Sequence, residues 1–159
     1  MKLKVEINTR EHDAVHPHEM LPFEVTNPWF NGRAEITTFT LDELLGTKLR
    51  ALYQRKKGRD VFDLVLPLDG QPSVKPAEVV ECFQANLRHS GLSVSRAEFE
   101  ANLAAKKRDR VFLEDVRPLL RQDVRDFDAA LAIDCVLAVL GAAAAWGAIV
   151  SIDRRGVAR

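Results

Sequence analysis

The sequence predicts an α+β protein, with a small, mostly antiparallel sheet in its first third and a bundle of helices after it. Three observations predict this class. At the front, Leu3, Val5 and Ile7 alternate with Lys2, Lys4 and Glu6, the period of a strand with one buried face. Two β-rich runs, Leu21 to Thr26 and Ala34 to Thr40, then flank Asn27-Pro28-Trp29-Phe30-Asn31-Gly32, a turn-rich stretch that reads as the loop of a hairpin. From Thr40 onward the apolar spacing lengthens to that of helices, with breaks at Asp69-Gly70-Gln71-Pro72, at Ser90-Gly91 and around Asp109.

Taken in order, the strand over Lys2–Asn8 leads into a polar connection, Thr9 to Met20, and then the hairpin. Thr40-Leu41-Asp42-Glu43 has the form of a capping box, a hydroxyl at the cap and a carboxylate three residues on. A helix is expected from there to about Gly58, a residue suited to the left-handed turn that closes many helices. Further helices are expected over Arg59–Leu68, Lys75–His89, Ser95–Lys107 and Leu113–Gln122, and a long one over Asp123–Val150. The expected division is an α+β lobe over residues 1–68 and a helical region packed on it over residues 69–159.

A chain of 159 residues fits one compact domain, or a lobe with a helical extension, and leaves little room for two large cores. Apolar residues at 47% and charged residues at 29% are the balance of an ordinary globular protein, which excludes fibrous and disordered classes. Lysine plus arginine and aspartate plus glutamate each number 23, so no whole-molecule field draws the chain to nucleic acid or membrane, and any such contact needs a local patch. Cys82 and Cys135 stand in no paired motif and the opening residues lack a secretory pattern, so a reducing cytoplasm with both thiols free is expected. Both read as small buried hydrophobes. Ala129 to Val150 approaches the ~20 residues of a membrane span. Asp134 interrupts it at a cost of about 2.5–3.5 kcal/mol, so it reads as a buried or interfacial helix, and no membrane partner is expected.

The chemistry gathers after Thr40. On a helical wheel Leu41, Leu44, Leu45 and Leu52 share a side, and Lys48 and Arg55 fall among them. A cation on such a face must either snorkel to water or meet an anion, structural or ligand. Arg55-Lys56-Lys57-Gly58-Arg59-Asp60 follows, and Asp60 and Asp63 are spaced to share a helix face. Cations and carboxylates thus converge on one helix-to-helix turn. A polyphosphate suits that turn, because lysine offers a point charge, arginine a planar fork, and a nearby carboxylate can orient the lysine or take a proton. A surface salt-bridge network has the same composition.

Leu41 to Leu64, with Lys48 and the string Arg59-Asp60-Val61-Phe62-Asp63-Leu64, closely resembles the lysine and Arg-Asp-x-(Phe/Tyr)-Asp-Leu motif region of the AbiEii/AbiGii abortive-infection nucleotidyltransferase family. Upstream, Lys2 to Asn8 followed by Thr9-Arg10-Glu11-His12 is similar to that family's post-catalytic strand and loop. The resemblance covers residues 1 to 65 well and the helical remainder loosely. It implies a partial polymerase-β-like nucleotidyltransferase fold using NTP and Mg²⁺, in the toxin of a bacterial toxin–antitoxin or phage-defence pair. It implies an RNA or protein acceptor, tRNA in some members. By motif position Glu6 would be the strand-borne, metal-facing carboxylate, Lys48 the triphosphate-binding lysine and Asp60 or Asp63 the acidic residue beside it. Arg55 and Arg59 would steady phosphates.

The chain departs from the family pattern at one point. The Gly-Gly or Gly-Ser turn and the strand-borne Asp-x-Asp that open family members neither precede nor replace Glu6. Those carboxylates hold the metal on which such transfer depends. The expectation is an amino-truncated nucleotidyltransferase, inactive alone, whose missing half another chain could supply. The alternative is a non-catalytic module that binds a nucleotide, RNA or a partner and self-associates. An antitoxin is a further possible partner.

Three other features have weaker chemical readings. Glu11, His12, His16, His18 and Glu19 offer zinc-ligand types without a familiar spacing, and read as a polar loop. Trp29 and Phe30 could stack on a base, but packing of the loop onto the sheet edge is the expected fate. Lys106-Lys107-Arg108-Asp109-Arg110 reads as a solvated helix end rather than a track for an RNA backbone.

Overall fold

The computed structural model describes residues 14–124 and 126–147, side chains excepted at Asp123 and Gly147. The strand expected over Lys2–Asn8, and with it Glu6, lies outside the described residues, as do Glu11, His12 and Asp13. Contacts divide the chain into two compact units, residues 1–40 and 41–159. Among the described residues, two antiparallel strands in the first and six α-helices in the second make up the predicted α+β arrangement.

In the first unit β1 (Glu19–Asn27) pairs with β2 (Phe30–Thr38). The register sets Asn27 opposite Phe30 and so leaves Pro28-Trp29 as a two-residue loop, shorter than the six-residue stretch expected. Asn27 explains the tightness, because its side-chain Oδ1 accepts from the backbone N–H of Trp29 (3.0 Å) and of Phe30 (2.9 Å). Leu21 faces Ile36 and Phe23 faces Ala34 on one side of the ribbon. Of the two aromatics expected to pack onto the sheet, Trp29 does not, being 91% exposed, while Phe30, though 61% exposed, lays its ring over Gly32, where an added Cβ would lie 2.5 Å from Phe30 Cζ.

The second unit opens with α1 (Leu41–Gln54), starting where the Thr40 pattern predicts. Its buried face is formed by Glu43, Leu45, Gly46, Leu49 and Leu52. That face is turned from the one read off the leucines, so Lys48 flanks it instead of sitting at its centre, and Leu44 is exposed. Gly46 is the cause. A Cβ there would lie 2.5 Å from Cys82 Cβ and 2.9 Å from the backbone nitrogen of Phe83, so the missing side chain lets α3 (Pro76–His89) seat over that position.

α2 (Arg59–Gly70) follows after a short turn. Gly58 does not adopt the expected left-handed conformation; its φ is −61° and it starts α2. Space requires glycine at this position, because a Cβ would lie 2.2 Å from the carbonyl oxygen of Phe112. α4 (Arg96–Lys107) begins at a full capping box, Ser95 with Glu98. Phe83, Phe99, Leu49, Leu64, Ile133 and Leu140 are fully buried and form the centre of the core.

The helix expected over Leu113–Gln122 is replaced by α5 (Arg110–Glu114) and a 3₁₀ turn at Arg117–Leu119. Pro118 has no N–H to continue a helix, and Asp109 caps α5 early by accepting from the N–H groups of Val111 and Phe112. The long final helix is likewise shorter: α6 runs only from Ala129 to Leu140. Asp128 starts it, its Oδ1 accepting from Ala130 (2.8 Å) and Leu131 (3.1 Å). After Gly141 the chain turns back, and Trp146 donates its indole N–H to the Leu140 carbonyl (2.6 Å) while its ring packs on Phe83 and Phe99. Among the described residues no helix is long and apolar enough to cross a membrane.

Candidate functional site

Asp60 lies in the first turn of α2 and is fully buried, a position that a carboxylate tolerates only when paired. Arg55, just past the end of α1, supplies the pair as a two-pronged fork: Nε to Oδ2 at 2.7 Å and Nη2 to Oδ1 at 2.6 Å. The Asp60 hydrogen bond raises the Arg55 pKa above its ordinary value against partial desolvation, and the charges of Asp60 and Asp63 add to it. One turn along α2, Asp63 accepts from Lys48 Nζ at 2.6 Å, both side chains being about two-fifths exposed (45% and 39%). The sequence-predicted residues Lys48, Asp63, Arg55 and Asp60 therefore meet across α1 and α2 as two ion pairs. Arg59 is exposed at the first position of α2.

The remaining cations of the turn are held from the far side. Lys56 faces Asp109 at 3.6 Å and Lys57 faces Asp115 at 3.8 Å. Asp115 Oδ2 also accepts from the Gly58 N–H (3.0 Å), which fixes the backbone of the turn. Sequence reasoning missed Asp109 and Asp115, because nothing local shows that a carboxylate some fifty positions away will close a turn.

It also missed Lys106. The run Lys106–Arg110 was expected to be a solvated helix end, but Lys106 is 5% exposed. It follows Phe99 and Leu103 in α4 at helical spacing and so belongs to that helix's buried stripe, a signal available in the sequence. Its ammonium donates to the carbonyl oxygens of Leu52 and Tyr53 and to Asn102 Oδ1.

The other candidates are placed as follows. His18 packs its ring on Phe39 at 4.8 Å, and Glu19 opens β1. Cys82 is buried, as expected, and its thiol donates to the buried Glu43 Oε2 at 3.6 Å. Burial and the Glu43 charge push that thiol up to about 12, so it is no nucleophile near neutrality. Cys135 is only partly buried. An Asp-x-Asp does occur at Asp126-Phe127-Asp128, but it lies in the loop before α6, where Asp128 is taken up as the helix cap.

Chemically, the α1–α2 corner can hold an anion. An ammonium has three N–H donors and a guanidinium five. Among the described residues Lys48 donates to Asp63 and Arg55 twice to Asp60, which leaves both with further N–H donors for phosphate oxygens. A divalent cation fits this corner poorly, because Asp60 and Asp63 are each engaged with a cation and present no open carboxylate pair.

Fold and corner together define an α+β protein with a phosphate-compatible cationic turn. The family model of the nucleotidyl transferase AbiEii toxin, of the type IV toxin–antitoxin system, matches residues 1–133, well beyond the region where the sequence motifs are dense. The chain belongs to this family of nucleotidyl transferase toxins. No curated protein and no solved structure significantly matches it.

Proposed function

We propose that the α1–α2 corner is the phosphate-facing part of a site that transfers a nucleoside monophosphate from an NTP to an RNA or protein acceptor. The observation that carries this reading is the pair of cations Lys48, on α1, and Arg55, just past its end, each drawn to a carboxylate of α2 and each with N–H donors beyond that contact. Lys48 then contacts the triphosphate, with Asp63 orienting its ammonium or taking a proton. Arg55, held by Asp60, and the exposed Arg59 steady the phosphates. In such transfer the residues act by positioning and charge stabilisation. Glu6 is the proposed metal-facing carboxylate; the described residues support no step through Mg²⁺. In this reading residues 1–68 carry the chemistry, residues 69–159 support it, and the setting is a bacterial cytoplasm with a phage-defence role. A tRNA is the first acceptor to try, and an antitoxin or a completing chain the first protein partner.

One observation favours a second reading, a non-catalytic nucleotide-, RNA- or partner-binding module that self-associates: both acids of the corner are already engaged by cations. Incubation with radiolabelled NTP, Mg²⁺ and total tRNA separates the two. Label transfer that Lys48→Ala abolishes supports the enzyme. Nucleotide-dependent stabilisation without transfer supports the module, and neither result from the intact chain overturns both.

A further inference from the structure

Lys106 is the buried lysine of α4, and it lies at the end of α1. The carbonyl oxygens it meets, Leu52 and Tyr53 (2.9 Å), belong to the last turn of α1, where carbonyls have no partner inside the helix and the helix dipole is negative. Asn102 Oδ1, one turn earlier on α4, is the third acceptor at 2.7 Å. The charged groups that act on it are Asp60 of α2, which attracts it, and Lys56 of the turn, which repels it. Nearby on α5 and α6, Arg110 is taken up by Glu114 and Asp134 by Lys107.

Three oxygens match the three N–H donors of an ammonium. A neutral amine has two N–H donors and a lone pair, and that lone pair would face an oxygen, so loss of the proton must break one contact. Arg55 is two residues beyond Tyr53, and its own N–H still bonds the Ala51 carbonyl (3.0 Å). Whatever loosens the last turn of α1 therefore moves the guanidinium that grips Asp60.

We propose that Lys106 is a positioning residue: its ammonium fastens the last turn of α1 and thereby holds Arg55 on Asp60 in the arrangement that faces phosphate. The phosphate half of this claim rests on the function proposed above. Desolvation brings the Lys106 pKa down to about 8, so its proton is lost within an accessible pH range.

The test is a pH series on the full chain from about pH 7 to 9.5, below the ordinary lysine range. It has two readouts, ATP affinity and the protection of the Arg55 Nε–H relative to free arginine by NMR. ATP suits the range because its terminal phosphate has its last pKa near ~6, so from pH ~7 upward it is mostly ionised and its charge changes little. Both readouts should fall together by roughly fivefold, the worth of about one hydrogen bond, with a midpoint near 8. Lys106→Arg keeps its charge and should flatten both profiles at the high level. Lys106→Met should flatten them at the low level with helix content unchanged by circular dichroism, and it decides the matter if the arginine variant does not fold. Flat wild-type profiles, or a Lys106→Met chain that keeps the wild-type step, overturn the proposal. If ATP binds at no pH, the phosphate reading fails, and the Arg55 Nε–H profile alone decides whether Lys106 positions Arg55.

Discussion

The two basic runs, Arg55 to Arg59 and Lys106 to Arg110, have nearly the same composition and opposite fates. In the first, Arg55, Lys56 and Lys57 keep their charged ends in water while reaching carboxylates, and only the partner Asp60 is buried. In the second the lysine itself goes inside, and its partners are carbonyls of a helix end. The runs interlock, because Lys56 meets Asp109 of the second while Lys106 meets Tyr53 just before the first. The difference shows that helix face, not charge density, decides which cation is available to a ligand. Lys106, on the buried face, is not available to a phosphate, whereas Arg55 of the α1–α2 turn, with its side chain 49% exposed, is.

Breaking the first run should have the largest effect. Arg55→Ala strands a fully buried carboxylate, and removing one partner of such a pair costs about 3–5 kcal/mol. Urea denaturation should show this as a lower midpoint, and Arg55→Lys, which cannot fork, should restore only part of it. A change near zero would mean that Asp60 is hydrated after all. Gly58→Ala comes next. Its Cβ would meet the Phe112 backbone oxygen at 2.2 Å, which prises the two runs apart at an overpacking cost of about 1–3 kcal/mol. Thermal melts against Gly70→Ala, where the added Cβ meets nothing within 4 Å, give the control.

The second run is tested through pH. Burial lowers the Lys106 pKa from 10.5 to about 8, so the folded chain gives up this proton before the unfolded chain does. Between those values the unfolded state binds more protons, and stability from this group rises with pH. The burden is fully present below pH 8 and relieved as pH approaches 10.5. Wild-type stability minus that of Lys106→Met should therefore increase across this window while the grip on Arg55 loosens. Opposite movement of global stability and local grip separates a buried positioning cation from an ordinary surface lysine, for which neither would move.

The contrast between the runs also marks what could be read from the sequence. The hairpin and the first four helices were legible because alternation and helical spacing each persist over a whole element and clear breakers bound them. The last two helices were not, because Asp109 and Asp128 act as caps inside stretches whose apolar content alone continues the helix. In the site, the convergence of Lys48, Arg55, Asp60 and Asp63 was legible as a turn dense in both signs of charge, but the pairing was not. Gly46 rotates the buried face of α1, and that depends on how closely α3 approaches, a tertiary fact. Lys106 was legible in principle from its place after Phe99 and Leu103, but was masked by the basic residues that follow it.

The smallest stability effect should come from Lys48→Ala, which makes it the sharpest probe of function. Its pair with Asp63 is about two-fifths exposed on both sides, and ion pairs of this kind contribute at most about 1 kcal/mol because water and salt screen them. Urea midpoints of Lys48→Ala and wild type should nearly coincide, in contrast to Arg55→Ala. If Lys48 faces a triphosphate, the same substitution should cost nucleotide affinity or transfer tenfold or more, since a charge-assisted bond is worth about 1.5–3 kcal/mol. A variant that is as stable as wild type and binds nucleotide equally well would show Lys48 to be a solvated surface residue, and shift the phosphate reading onto Arg55 and Arg59.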